Sequence, residues 1–370
     1  MRTIANKTPL LTILLLSAAL SAYTQQQADP ETNFTFRIID NGTAVEITGH
    51  TGNDTDVRIP DRIENLPVTV IGHWAFMESQ LTSVIIPDSV MHIGNGAFLN
   101  NQLTSVIIPD SVTHIGNGAF GYNRLTDISI SNRVTHISNG AFISNQLTSV
   151  NIPNSVTHIS NSGFERNQLT SVSIPNSVRH IGNGAFAINQ LTSVNIPNSV
   201  ILIDGRAFAI NQLTSISIPD SVTHIGGWAF SHNRLTNVSI GNSVTQIGEF
   251  AFSENQLTSI SIPHSVRHIG ASAFSHNQLT NVSIPDNVTH IGNSAFSRNQ
   301  LTNVSIPHSV THIGEGAFWN NQMTSVNFGN NVTFIGDRAF AENQLTSVSI
   351  PSGASVHPDA FDPQVTITRR

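Results

Sequence analysis

His92, His114, His136, His158, His180, His224, His268, His290 and His312 recur at multiples of 22 residues, the first five in consecutive copies of one repeat. Imidazoles on adjacent strands lie about 5 Å apart. Such spacing lets a divalent metal bridge neighbours and makes each ring resist protonation beside the next. The column brings no carboxylate or thiol with it, however, and structural metal sites use four ligands and a supporting shell. It reads as a surface residue multiplied by duplication, and no metal or other cofactor is assigned to it. His264 and His308 share a second offset and His232 and His276 a third, but each pair is two copies apart, near ~10 Å, too far to share an ion.

Catalytic patterns are lacking. The chain has no cysteine, its acidic residues form no recurring pair, and no serine sits in a G-x-S-x-G elbow. Lys7 is the only lysine, so a phosphate-binding loop with its lysine is not available to the repeats. No enzymatic activity is expected. Formal charge is −7, and only 11% of residues are charged. An acidic chain of this kind lacks the basic footprint needed for phosphate backbones, which excludes nucleic acid as the expected partner.

Recognition chemistry is then left to the exterior. The outward strand positions Ser83, Ile85, Ser105, Ile107, Asp127 and Ser129 form a flat, sterically open face, with Ile85 and Ile107 giving it an apolar end unless they pack under an N-terminal cap. Trp74, Tyr122, Trp228 and Trp319 break the copy pattern with large aromatics of the kind that anchor interfaces. A protein or glycan partner suits these residues.

What positions them is the repeat itself. Leu81, Leu103, Leu125, Leu147, Leu169, Leu191, Leu213, Leu235, Leu257, Leu279, Leu301, Met323 and Leu345 open successive copies, each 22 residues after the last. A fixed period in this range marks a solenoid, whose coils cannot bury their apolar side alone. Within the first copy Leu81, Val84, Ile86, Val90, Ile93, Ala97 and Phe98 are the apolar set. Val84 and Ile86 sit two apart in a short strand ended by Pro87. Each coil is therefore expected to give one strand to a parallel sheet, with Val90 and Ile93 on the return leg and Gly94 at a sharp bend. Phe98 and its successors to Phe340 should stack as an aromatic spine. The column Asn101 to Asn343 should satisfy loop backbone in its own and adjacent coils, since an amide both donates and accepts. No segment carries a helical stripe, so the expected fold is mainly β: a parallel sheet on one face, short strands and turns on the other, and little helix.

The motif LTSVxIPxSVTxIGxxAFxxNQ resembles the BspA-like leucine-rich repeats of bacterial surface proteins, over about residues 56–361. The resemblance implies a leucine-rich solenoid and adhesion to host matrix proteins or to other bacteria. Members with Cys near the place of Asn101 differ from this chain, and no functional residue is carried over.

The organisation follows. Residues 1–22 look like a secretory leader, with Arg2 and Lys7 ahead of an apolar run too short to span a bilayer and small residues Ser21 and Ala22 for cleavage. Its removal takes the 16 basic residues to 14 against 23 acidic and leaves no lysine. Residues 23–33 are expected to be a disordered linker and 34–55 a β-hairpin cap around Asn41-Gly42. An irregular first coil spans 56–80, twelve regular repeats 81–344, and a partial repeat with C-terminal cap 345–370. The expected location is extracellular or cell-surface, or the periplasm, with no transmembrane segment in the mature chain.

Overall fold

The computed structural model describes residues 27–370; the expected leader lies outside them. The repeat period becomes a parallel β-solenoid in which each copy is one coil. Three segments of every coil bond to the next coil and form three walls.

The first wall is the Leu-Thr-Ser-Val segment. Ser105–Ile107 pairs in parallel with Asp127–Ser129, and Ser215–Ile218 with Asn237–Ile240. Pairing here is intermittent, reduced in places to single bridges such as Asn151 to Ser173. The second wall is the return leg, and it carries the long sheet that was expected on the first. Eleven two-residue strands from His136–Ile137 to Ser355–Val356 run in unbroken register. The physical reason lies in the donors. Proline closes most first-wall strands and has no N–H to give, whereas the return leg keeps its donors on both sides of the strand, for example Thr113 N–H to the Met91 carbonyl and Gly116 N–H to the Ile93 carbonyl.

The third wall has no strands. Gly96, Phe98 and Asn100 donate their N–H groups to the carbonyls of Asn117, Ala119 and Gly121 in the next coil, at 2.8, 2.8 and 3.0 Å. Residues flanking each phenylalanine, such as Asn100 (φ 58°) and Tyr122 (φ 55°), take the left-handed conformation that this ladder requires. The glycine expected to make a bend serves a different end. At Gly116 an added Cβ would lie 2.5 Å from the Asn95 nitrogen and the Gly94 carbonyl carbon, so glycine is needed because successive coils approach too closely for a side chain.

Between the walls the apolar sets of the coils are buried, with Val172, Val194 and Val326 of the Val84 column partly so. The phenylalanine rings from Phe76 to Phe361 form one stack of 14, with Phe208 and Phe230 typical at 5.5 Å between centroids. Both ends of the solenoid are closed by strands. Phe34–Ile39 and Ala44–His50 make an antiparallel hairpin, and its second strand pairs in parallel with Leu66–Ile71, which starts the second wall. At the other end Thr366–Arg369 pairs with Ser347–Ile350 and closes the first wall. The expected disorder of 23–33 is corrected over its described part. Glu31–Asn33 forms a 3-10 turn, and Asp29 bonds through both its N–H and its carboxylate to the backbone of Arg58. Strand Asp56–Arg58 has no preceding coil on its outer edge, and this segment supplies the partner.

Candidate functional site

The column Asn101 to Asn343 is the internal brace that holds the exterior in place. Asn123 Oδ1 accepts the Leu103 N–H at 3.0 Å, while its amide nitrogen donates to the carbonyls of Phe98 (2.9 Å), Phe120 (3.2 Å) and Gly121 (3.2 Å). One buried side chain thus serves two coils. A second asparagine row escaped the sequence reading: Asn117, Asn139, Asn161 and Asn183 each donate their N–H to the side-chain oxygen of the residue one coil earlier, starting from Asn95. The Ile-Gly-Asn and Ile-Ser-Asn triplets of the sequence carried that signal. His73 heads the row, its Nδ1 accepting the Asn95 N–H at 2.8 Å.

The histidine column stands on the outer side of the second wall. His136 and His158 stack at 4.8 Å, as do His290 and His312. Thr135, Thr157, Thr289 and Thr311 each hold the Nδ1 of the following histidine through a 2.9 Å bond, which leaves Nε2 as the remaining polar atom. Face-to-face rings at this separation are wider than the roughly 3.4 Å between nitrogens that share one tetrahedral zinc. His180 instead bonds through Nε2 to Asp204 at 2.7 Å. Burial first, then the neighbours His136 and His180, hold His158 below the usual histidine value; His290 is lowered in the same way by burial and by His312 and His268. Among the described residues, the group whose ligand atoms do converge is Asp337, His357 and Asp359 near the C-terminal cap, within 4.8 Å of one another.

The nine candidate contact residues do not form one site. Ser83, Ile85, Ser105, Ile107, Asp127 and Ser129 lie along the first wall. Ile107 is 58% exposed and therefore clear of the cap, whereas Ile85 is half-buried. The Asp127 carboxylate turns back to accept the Ile128 N–H at 2.8 Å. Tyr122, Trp228 and Trp319 belong to the third wall, Tyr122 five coils before Trp228.

The two surfaces differ in how their outward positions vary between copies. Along the first wall the outward places hold mostly Ser, with some Asn, Ile and Asp. On the third wall the place of Gly96 is taken in later coils by Arg206, Trp228, Phe250 and Ser272, and the place of Asn100 by Tyr122, Ile188, Glu254 and Arg298. Chemical diversity is concentrated on a wall built from turns.

A family model described as BspA-type leucine-rich repeat region, in six copies, matches residues 53–169, 157–277 and 245–368. The chain belongs to the BspA-type leucine-rich repeat family. No curated protein matches it. Among solved structures it is similar to a leucine-rich repeat protein from Bacteroides ovatus, with 26% identity over 94% of this chain and 100% of that one and a TM-score of 0.71. A leucine-rich cell surface protein from Faecalibacterium prausnitzii is also 26% identical, over 93% and 95%, with a TM-score of 0.52. The pneumococcal vaccine antigen PcpA shares the fold at 18% identity over 93% of each chain, with a TM-score of 0.55. A BspA-type solenoid is a protein-interaction scaffold and not a typical enzyme architecture. No helix among the described residues is long and apolar enough to cross a membrane.

Proposed function

We propose that this BspA-type solenoid is exported and acts in adhesion, binding host matrix proteins or other cells through its exterior walls. The observation that carries the reading is the contrast between interior and exterior. Leu, Val, Ile, Phe and Asn columns are spent on stacking coils, while the third wall changes from copy to copy at the positions facing outward. The leader pattern of residues 1–22 and the likeness to a cell surface protein from Faecalibacterium prausnitzii support export.

A passive envelope or periplasmic solenoid would need only uniform walls. Trp228 and Phe250 weigh against that alternative, because both hold a left-handed backbone (φ 64° and 53°) where other coils use glycine. The left-handed backbone is common to the ladder, so what sets these two coils apart is a large aromatic side chain where Gly96, Gly118 and Gly140 have none. The test has two arms: protease accessibility of the protein on intact cells, and binding of the purified chain to matrix proteins and whole bacteria. Protection from protease together with no binding would favour the passive scaffold.

A further inference from the structure

Between Trp228 and Trp319 the third wall forms a trough of about 310 Å³. At one end the Trp228 indole stacks on the Phe250 ring, with centroids 4.0 Å apart and planes 14° from parallel. At the other, Trp319 lies under the Arg298 guanidinium at 5.0 Å. Phe250 and Trp319 are three coils apart, about 14 Å along the axis. The intervening coils carry serine where their neighbours carry aromatics: Ser272 and Ser294 stand in the place of Trp228 and Phe250, and Ser275 and Ser297 in the place of Trp319. Two aromatic platforms thus flank a floor of hydroxyls.

The charges along its rim cancel. Arg298 donates from Nη1 to His276 Nε2 at 3.0 Å, and His276 Nδ1 lies 3.8 Å from the Glu254 carboxylate. One cation and one anion joined through an imidazole favour an uncharged ligand with many hydroxyls over a polyanion. An extended peptide is disfavoured on a separate ground. The backbone N–H and carbonyl groups of this wall already bond coil to coil, as from Phe252 to Ala273 and Phe274 to Ala295, so the wall offers no open edge for an added strand.

We propose that this trough binds a neutral oligosaccharide, an end ring packing on the side of Phe250 away from Trp228, and its hydroxyls bonding to Glu254, His276, Ser294 and the Arg298 guanidinium that covers Trp319. This deepens the adhesion reading by naming a ligand class, and it rests on that reading. About two to three rings fit between the platforms at one ring per coil spacing. Trp228, Phe250 and Trp319 are each half-buried on the outer side of this wall, and large aromatics so placed are the residues that anchor interfaces.

The test titrates the full chain with mannotriose, cellotriose, chitotriose and N-acetyllactosamine by calorimetry, with hyaluronan and a proline-rich peptide as contrasts. The variant Trp228→Gly/Phe250→Gly/Trp319→Ala restores residues that other coils already hold, as in Gly184 and Ala187, so its melting temperature should stay close to that of the parent. The expected result is binding of at least one neutral trisaccharide or N-acetyllactosamine, weakened about tenfold or more in the variant. Binding of none of these sugars, equal binding by the variant, or binding of hyaluronan or the peptide alone would overturn the proposal. Continued cell adhesion by a chain that binds no sugar would leave the adhesion reading standing, whereas a chain that binds neither sugars nor cells would end both.

Discussion

The side-chain amide of Asn211 donates to the Phe186 carbonyl in the preceding coil at 3.0 Å, while its oxygen accepts the Leu191 N–H at 3.0 Å. This asparagine therefore joins the strand entry of its own coil to the aromatic stack of the coil before it. Replacing it with alanine strands a buried N–H and buried carbonyls together. We expect Asn211→Ala to cost about 3 kcal/mol, read as a lower urea midpoint, with ligand binding by the folded fraction unchanged. An unaltered midpoint would refute the brace.

The close approach of coils gives a second expectation. At Gly248 an added Cβ would meet the Gly227 nitrogen at 2.5 Å and the Gly226 carbonyl carbon at 2.6 Å, whereas at Gly353 nothing lies within 4 Å. Gly248→Ala should lose about 1 to 3 kcal/mol through overpacking, and Gly353→Ala should be neutral. Thermal melts of the two variants side by side decide the matter.

Phe208 is fully buried between Phe186 and Phe230, 5.5 Å from each. Truncation opens a cavity that fixed coils on both sides cannot close. Phe208→Ala should cost about 3 to 5 kcal/mol. Because each coil contacts only its neighbours, native-state hydrogen exchange should show the loss concentrated around that coil.

Acid should weaken the fold through the histidine column. His158 and His290 are held below the ordinary value of 6.5, mainly by burial and then by neighbouring imidazoles. An unfolded chain then binds more protons than the folded one in the window below 6.5. Stability is present in full above that value and falls as pH drops through the lowered folded values. Melting temperature should decline between about pH 7 and about pH 5, and the double variant His158→Asn/His290→Asn should decline less. An equal decline in both would remove the column from the account.

Much of this architecture was legible because a fixed period turns each residue type into a column. Leu103, Phe120 and Asn123 announce burial, stacking and bracing by recurring in every copy, the leucine replaced once, by Met323. The choice between walls was not legible. Val106-x-Ile108 and Val112-x-x-Ile115 both supply β-branched residues to the core, and which leg bears the long sheet depends on where N–H groups survive between coils, a matter settled by Pro109 and by the approach at Gly116. The third wall was hidden for another reason. Its ladder is made by turn residues in left-handed conformation, so Tyr122, Trp228 and Trp319 stood out as aromatics while the surface joining Trp228 to Trp319 did not. The order of residues 29–33 comes from the outer edge of Asp56–Arg58, a tertiary feature that local composition does not encode.

The account rests on a division of labour in which the repeated walls hold the shape and the varied third wall recognises the partner. Adhesion of the purified chain to intact cells, measured for the parent, for Trp228→Gly/Phe250→Gly/Trp319→Ala, and for the first-wall variant Ile107→Asn/Ser129→Asn, tests that division most directly. The account predicts adhesion lost in the third-wall variant and kept in the first-wall variant, with all three equally folded. Adhesion kept in the former and lost in the latter would contradict it.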